Sequence, residues 1–368
     1  SLKLRAKNGK QYSLRTIDKF TEGALDEELR GTLANDAVQD QISASNPYGA
    51  FVLPKLEEAV GILHTNPEMV YIPDDPRFGI HQKTFAGRHC MLEEHPDDDY
   101  WEQADFFGNP EEIVGTDDVI EELDEDNDNR IDDKTLVKTR LFDMWIGDWD
   151  RHDGQWRWGV RDTGKGDIMR PIPEDRDQVV FVNEGVFPKI ASRLPKIQGF
   201  GHMMRDVRTF NFNARHFDRT FLVGLEEKDW LAAADTLQRV MTDSLIEAAI
   251  RQMPDSVYAL TGPEIISKLK SRREDLKKWA SEYYRFLARE VSVVGSEDHE
   301  YFLLKRLNDD STRLTVWKTN KAGEERETIL YQRTFLSDET KFINLYGRDD
   351  EDYFDLRGHV SKGPVVRI

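Results

Sequence analysis

Gly147-Asp148-Trp149-Asp150-Arg151-His152-Asp153-Gly154-Gln155-Trp156 is the stretch on which the fold reading turns. Ahead of it, residues 134–146 carry Leu136, Arg140, Leu141, Met144 and Trp145 at helical spacing. Behind it, residues 156–160 alternate as a strand, Thr163-Gly164-Lys165-Gly166 turns the chain, and residues 168–172 return. A second acidic knot follows at once, Ile172-Pro173-Glu174-Asp175-Arg176-Asp177-Gln178. Two Asp-bearing loops therefore flank one hairpin, and their side chains are expected at the same end of it.

That layout matches what phosphoryl transfer asks of a protein. A carboxylate orients the attacking hydroxyl, oxygen ligands hold a divalent cation on the phosphates, and a positive group steadies them. Asp150 is expected as the base or orienter, with His152 beside it bracing the loop. Gln155 follows Asp150 by five positions and Asp175 follows the hairpin, a layout that resembles kinase-like loops and implies metal ligands at Gln155 and at Asp175, with Asp177 as its rival. The phosphate-steadying cation is Arg15 or Lys19, both at the end of a strand over 12–17, and the sequence does not choose between them. The competing reading is plain: Asp and Arg in a tight loop also pair and cap backbone amides.

Asp150-Arg151-His152 and the residues around it resemble the Gly-Asp-Arg-His-x-x-Asn loop of phosphatidylinositol 3-/4-kinases. They also resemble the loops of HipA-type and spore-coat CotH-type kinases. The resemblance covers residues 140–178 and implies an α+β, two-lobed protein-kinase-like domain that uses ATP with Mg or Mn. The departure is Gln155 where those loops carry Asn. It bears on catalytic competence more than on nucleotide binding, so the resemblance also admits a catalytically inactive, nucleotide-binding or interaction domain. A longer match, Arg140-Leu141-Phe142-Asp143-Met144-Trp145-Ile146 continuing through His152, resembles a family of large bacterial cell-envelope proteins. Arg15-Thr16-Ile17-Asp18-Lys19, Asp40-Gln41-Ile42-Ser43, Tyr71-Ile72-Pro73-Asp74-Asp75 and Ile343-Asn344-Leu345-Tyr346-Gly347 fit it too. That resemblance implies a periplasmic or outer-membrane-associated location.

The organisation outward is legible in coarse form. Residues 1–95 read as a small nucleotide-clamping lobe: a hairpin turning at Asn8-Gly9, helices at 33–42 and 50–60, and strands at 69–72, 79–84 and 89–94. Residues 96–290 read as a mainly helical large lobe holding the loop, with an acidic stretch first. Residues 291–368 read as a small all-β module of short strands. The chain begins in alternation at Ser1-Leu2-Lys3-Leu4 and stops inside an apparent strand, so both ends are expected to continue.

Composition narrows the partners. The 368 residues carry a net charge of −19, which disfavours nucleic acid. Residues 93–133 hold 19 acidic residues against one basic, Arg130, and nearly account for that charge. No apolar run approaches the ~20 residues of a membrane span, so no insertion is expected from this segment. The expected partners are a nucleotide and a protein or small-molecule acceptor. The lone Cys90 is expected to be a packing residue.

Other motifs are weaker. Asp124-Glu125-Asp126-Asn127-Asp128-Asn129-Arg130-Ile131-Asp132 resembles the start of a calcium loop, but Asn129 and Thr135 stand where Gly and Glu are wanted. Gly347-Arg348-Asp349-Asp350-Glu351-Asp352 faintly resembles a calcium-binding β-roll turn. No P-loop, dinucleotide fingerprint, His-Glu-x-x-His or Gly-x-Ser-x-Gly element occurs.

Overall fold

The computed structural model describes residues 1–17, 46–180, 198–324, 326–349 and 351–368. Lys19, the Asp40–Ser43 motif and the helix expected over 33–42 lie outside the described residues. The chain is an α+β fold with a sheet-rich C-terminal region.

The N-terminal sheet is antiparallel in the order β1-β2-β4-β3, with β1 Leu2–Arg5, β2 Gln11–Thr16, β3 Glu68–Ile72 and β4 Arg88–His95. The β1–β2 hairpin turns through Asn8-Gly9, where Gly9 takes φ 88°. Between β2 and β3 runs α1, Pro54–Ala59. One small core serves this sheet: Leu14, Ile72, Phe85 and Cys90, with Leu2, Leu4, Val70 and Leu92 against it.

The strand expected over 79–84 is instead a 3-10 turn, Pro76–His81, followed by α2, Gln82–Phe85. The Asp75 carboxylate accepts from Arg77 N at 2.8 Å and Pro76 opens the turn. Both are helix-start devices, and they override the strand-like alternation.

The acidic stretch is more ordered than its charge suggests. It holds β5, Glu112–Gly115, then α3, Thr116–Glu125, then β6, Arg130–Ile131. With β7, Trp156–Asp162, and β8, Asp167–Pro173, these strands form a second sheet ordered β5-β7-β8-β6. The expected hairpin is thus its centre. Ile113 and Ile172 pack with Leu63, Trp101 and Phe107 in a cluster that half-buried Tyr12 of β2 joins to the first sheet.

Helix α4, Asp133–Ile146, leads into the loop and is buried almost throughout. The helices that follow are α5 Val207–Phe210, α6 Arg215–Phe221, α7 Glu227–Val240, α8 Asp243–Ile250, α9 Asp255–Glu274 and α10 Leu276–Ala288. Their apolar faces pack with α4 and β7 in one core that includes Trp145, Trp156, Trp158, Trp230 and Trp279. Among the described residues no helix is long and apolar enough to cross a membrane.

The C-terminal region has two sheets. One is ordered β15-β13-β9 and is parallel, with β9 Glu290–Val294, β13 Phe342–Tyr346 and β15 Val365–Arg367. The other is β12-β11-β10-β14, with β10 Glu300–Asn308, β11 Ser311–Thr319, β12 Arg326–Leu336 and β14 Tyr353–Arg357. Val291, Phe302, Leu314, Phe335 and Ile343 share one core drawn from both. Tyr331 and Arg333 donate to Val223 O at 3.0 and 2.6 Å, tying this region to the end of α6.

Candidate active site

The loop begins where α4 is made to stop. Gly147 takes φ 79° as the left-handed C-cap, a conformation open to Gly and strained for other residues. A Cβ there would also sit 2.7 Å from the Phe200 ring. From α9, Arg272 reaches in and donates to the carbonyls of Met144 and Trp145, which the helix end leaves unpaired.

Beneath the loop lies a buried charge network. Arg140 donates to Asp143 at 2.5 Å, to Asp218 of α6 at 2.8 Å and to Asn211 at 2.7 Å. Arg176, from the second acidic knot, pairs with Asp143, with Asp148 at 3.2 Å and with Glu57 of α1 at 2.9 Å. Arg151 lies 3.7 Å from Asp143 and 3.6 Å from Asp148. Burial pushes the Asp148 carboxyl up to about 6 although both arginines pull it down. Asp143 is held below the ordinary range, because Arg176, Arg151 and Arg140 together outweigh its burial. Such pairs add little net stability, since desolvation offsets most of the attraction, but removing one partner strands the others.

Arg151 joins the two loops. It donates to the Gln155 side-chain oxygen at 2.9 Å, to Gln155 O at 2.8 Å and to Glu174 O at 2.6 Å, and stacks on Trp156. Glu174 N completes the tie to Gln155 O at 3.0 Å. The hairpin thus brings both loops to one end, as its turn and strand pattern lead one to expect.

The sequence candidates take distinct places around this tie. Asp150 is half-buried and accepts from Asn213 Nδ2 at 2.7 Å. His152 is exposed, and its Nδ1 accepts from Gly154 N at 3.2 Å, bracing the short turn Asp153–Gln155. Gln155 is buried, and the oxygen expected to face a metal accepts from Arg151 instead; its longer arm reaches the guanidinium. Asp175 sits at φ 55°, a left-handed conformation that Asp adopts more readily than most non-glycine residues. Its Oδ1 accepts from Arg15 at 3.0 Å. Asp177 accepts from Gln178 at 2.8 Å, and its charge adds to the field that holds Arg15 cationic.

Arg15, at the end of β2, reaches the second knot from the N-terminal sheet. It bridges Asp175 and Glu93 of β4, the latter at 2.9 Å. Burial works against its charge, but Asp175 and then Glu93 more than restore it. Glu93 is 3% exposed and also accepts from Thr65 Oγ1 at 2.7 Å. Burial lifts its carboxyl to about 7, against the pull of Arg15. His95 and Arg157 approach Glu174 at 3.0 and 3.6 Å, completing the seam between the two sheets.

Sequence reading missed Glu93 and Asn213. Glu93 reads as the start of an acidic run, and Asn213 lies 63 residues from Asp150 with no spacing that links them. Among the described residues no three His, Cys, Asp or Glu side chains converge as a metal cage. The calcium-like carboxylates separate to other partners: Asp124 to Arg348 at 2.8 Å, Asp128 to Lys318 at 2.8 Å, and Asp132 to the first turn of α4. Asp352, in the other calcium-like segment, accepts from the backbone N–H of Glu300 and Arg348.

No family model matches the chain. No curated protein matches it either. Among solved structures, HipA of the Shewanella oneidensis MR-1 toxin–antitoxin complex with HipB and operator DNA aligns at 12% identity and TM-score 0.34. That alignment covers 64% of this chain, which spans 57% of HipA. The Helicobacter pylori proinflammatory kinase CtkA aligns at 12% identity and TM-score 0.33, over 77% of this chain and 94% of CtkA. Both superpositions are loose, and the functional reading rests on the geometry of the two loops and the Arg15 bridge.

Proposed function

We propose that the chain is a kinase-like phosphotransferase that moves a phosphoryl group from ATP, with Mg or Mn, to a hydroxyl of a protein or small-molecule acceptor. The observation that carries this reading is the Arg15 bridge from the N-terminal sheet to Asp175, set beside the loop that presents Asp150. In it, Arg15 steadies the phosphates, and Asp150 receives the proton of the acceptor hydroxyl as its oxygen bonds to phosphorus and the anhydride bond to ADP breaks. Asn213 positions Asp150 by donating from Nδ2 to its Oδ1 at 2.7 Å.

Asp175, with Asp177 next in the knot, would hold the cation. The donor set fits: Mg is usually carried by one or two carboxylates together with the phosphates and water, so a three-carboxylate cage is not required. When bound, the cation supplies charge neutralisation at the phosphate oxygens. The bacterial cell envelope is carried as the setting on the sequence resemblance alone.

One observation favours a second reading, a catalytically inactive nucleotide-binding or interaction domain. The Gln155 oxygen is committed to Arg151, so the loop delivers no amide oxygen to a metal. Assaying transfer of labelled phosphate from ATP, with melting curves alongside, separates the two. Transfer by the wild type that Asp150→Asn abolishes, with ATP-dependent melting retained, supports the enzyme. ATP-dependent melting without transfer in the wild type supports the inactive domain.

A further inference from the structure

The loop after α3 is joined to the C-terminal sheets through a pair of carboxyl groups. Glu300, the first residue of β10, is 1% exposed. Asp352, just before β14, is half-buried. Asp352 Oδ1 accepts from Glu300 N at 3.0 Å, its Oδ2 accepts from Arg348 N at 3.2 Å, and the two carboxyl groups hydrogen-bond to each other. The ends of β9 and β13 leave room for them. A Cβ on Gly295 would lie 2.5 Å from Glu300 Oε2, and one on Gly347 would lie 2.2 Å from Asp352 Oδ2. Gly295 N donates to Tyr346 O at 2.8 Å and holds the two strand ends together.

Among the described residues the cations around this pair are engaged elsewhere. Lys318 stands opposite Glu300 on β11, but its amine pairs with Asp128 at 2.8 Å and reaches Asp298 at 3.6 Å. Arg348 pairs with Asp124 at 2.8 Å, and Lys321 lies 3.5 Å from Glu351. Asp126 accepts from Asp128 N at 2.8 Å. Glu297 and Asp349 are exposed on the flanking turns, and His299, next to Glu300, is half-buried. Glu300 receives neutral donors only: Ser296 N at 3.1 Å, Ser296 Oγ at 2.6 Å and Asn127 Nδ2 at 2.7 Å. Asn127 brings the loop after α3 into this joint, and Glu297 N donates to Asp124 O at 2.6 Å beside it.

Ionised carboxylates only accept hydrogen bonds, so two of them bond to each other only while one keeps its proton. Burial without a cation favours the same neutral form. We propose that Glu300 and Asp352 share one proton, and that this proton latches the loop after α3 to the C-terminal sheets, closed in acid and loosened toward neutral pH. Asp352 carries the titration. Burial first, with the charge of Glu300 behind it, raises its carboxyl from 3.8 to about 6 against the pull of the Glu300 backbone N–H. The folded value is the raised one, so the stability tied to this proton is present below pH 3.8 and is lost as pH rises through about 6. Once the proton leaves, two anions face each other and push on the group that holds Ser296 and Asn127.

Hydrogen exchange of the full chain reads the latch. It is followed by mass spectrometry from pH 4 to 8 and corrected for the intrinsic pH dependence of exchange. EDTA is present, so that no divalent cation stands in for the proton. Peptides over 123–129 and 295–301 should open more readily as pH rises, by roughly fiftyfold across that range, while peptides over α9 and α10 do not follow. Asp352→Asn and Asp352→Ser remove the titrating group, and each should cut the rise to less than about threefold. Glu300→Gln removes the opposing charge but leaves Asp352 buried, so its rise should fall between these and the wild type. The slope against pH is what is compared, so a uniform loss of protection in a variant does not enter. Circular dichroism checks folding, and if one Asp352 variant is unfolded the other decides. Wild-type opening that stays constant from pH 4 to 8, or an undiminished rise in a folded Asp352 variant, overturns the latch. An undiminished rise in folded Glu300→Gln overturns the sharing of the proton.

Discussion

Replacing Glu93 by Gln tests how charge is shared at the Arg15 bridge. Glu93 is buried between Arg15 at 2.9 Å and Thr65 at 2.7 Å, and Asp175 and Glu174 add negative charge nearby. Burial outweighs Arg15 and raises the carboxyl from 4.5 to about 7. The folded state therefore holds this proton more tightly than the unfolded chain does. The stability linked to it is present below pH 4.5 and is lost as pH rises through about 7. At ~1.36 kcal/mol per pH unit, the rise from 4.5 to about 7 comes to roughly 3 kcal/mol. Gln keeps the shape, can still accept from Arg15, and can donate to Thr65 Oγ1, but it does not titrate. Glu93→Gln should match the wild type near pH 4.5 and exceed it by roughly 3 kcal/mol at pH 8. Urea unfolding of both proteins at several pH values from 4.5 to 8 measures the difference. A flat difference, or one that turns against Gln as pH rises, refutes the reasoning. It would mean that Arg15 keeps Glu93 fully ionised and is neutralised by it, leaving less of its charge for Asp175.

Other substitutions probe the scaffold and the two loops. Arg176→Met strands the buried Glu57, Asp143 and Asp148, and should lower stability by about 3–5 kcal/mol in urea. Lys277→Met, which breaks the exposed pair with Asp235, should leave the urea midpoint unmoved. Gly147→Ala forces a left-handed Ala against Phe200 and should cost about 2 kcal/mol, read as a lower melting temperature. Asn213→Ala should lower phosphate transfer about tenfold or more with little change in ATP affinity, whereas Gln155→Ala, by loosening Arg151, should lower stability as well.

What the sequence discloses here is what acts over short range. The helix before the loop, the Gly147 stop and the Gly-rich hairpin turn each depend on residues within about ten positions, and periodicity finds them. The Asp175 knot follows by continuity. Partners distant in sequence are silent. Arg15 and Lys19 look alike at a strand end, and the acceptor that Arg15 meets lies 160 residues away. Arg140, Arg151 and Arg176 are each buried, and no spacing discloses distant partners such as Asp218 and Glu57. The one local hint is that Arg140 and Asp143 interrupt the otherwise apolar second half of the helix. Strands β5 and β6 were hidden because four and two residues are too few for alternation to register.

The central claim is a nucleotide and metal site built on Arg15 and Asp175. The most direct measurement is the melting temperature with and without millimolar ATP plus Mg or Mn, for the wild type, Arg15→Ala and Asp175→Asn. The account predicts an upward shift that needs both ATP and metal and that each variant loses while remaining folded. No shift with either metal, or a shift that survives in both folded variants, contradicts it.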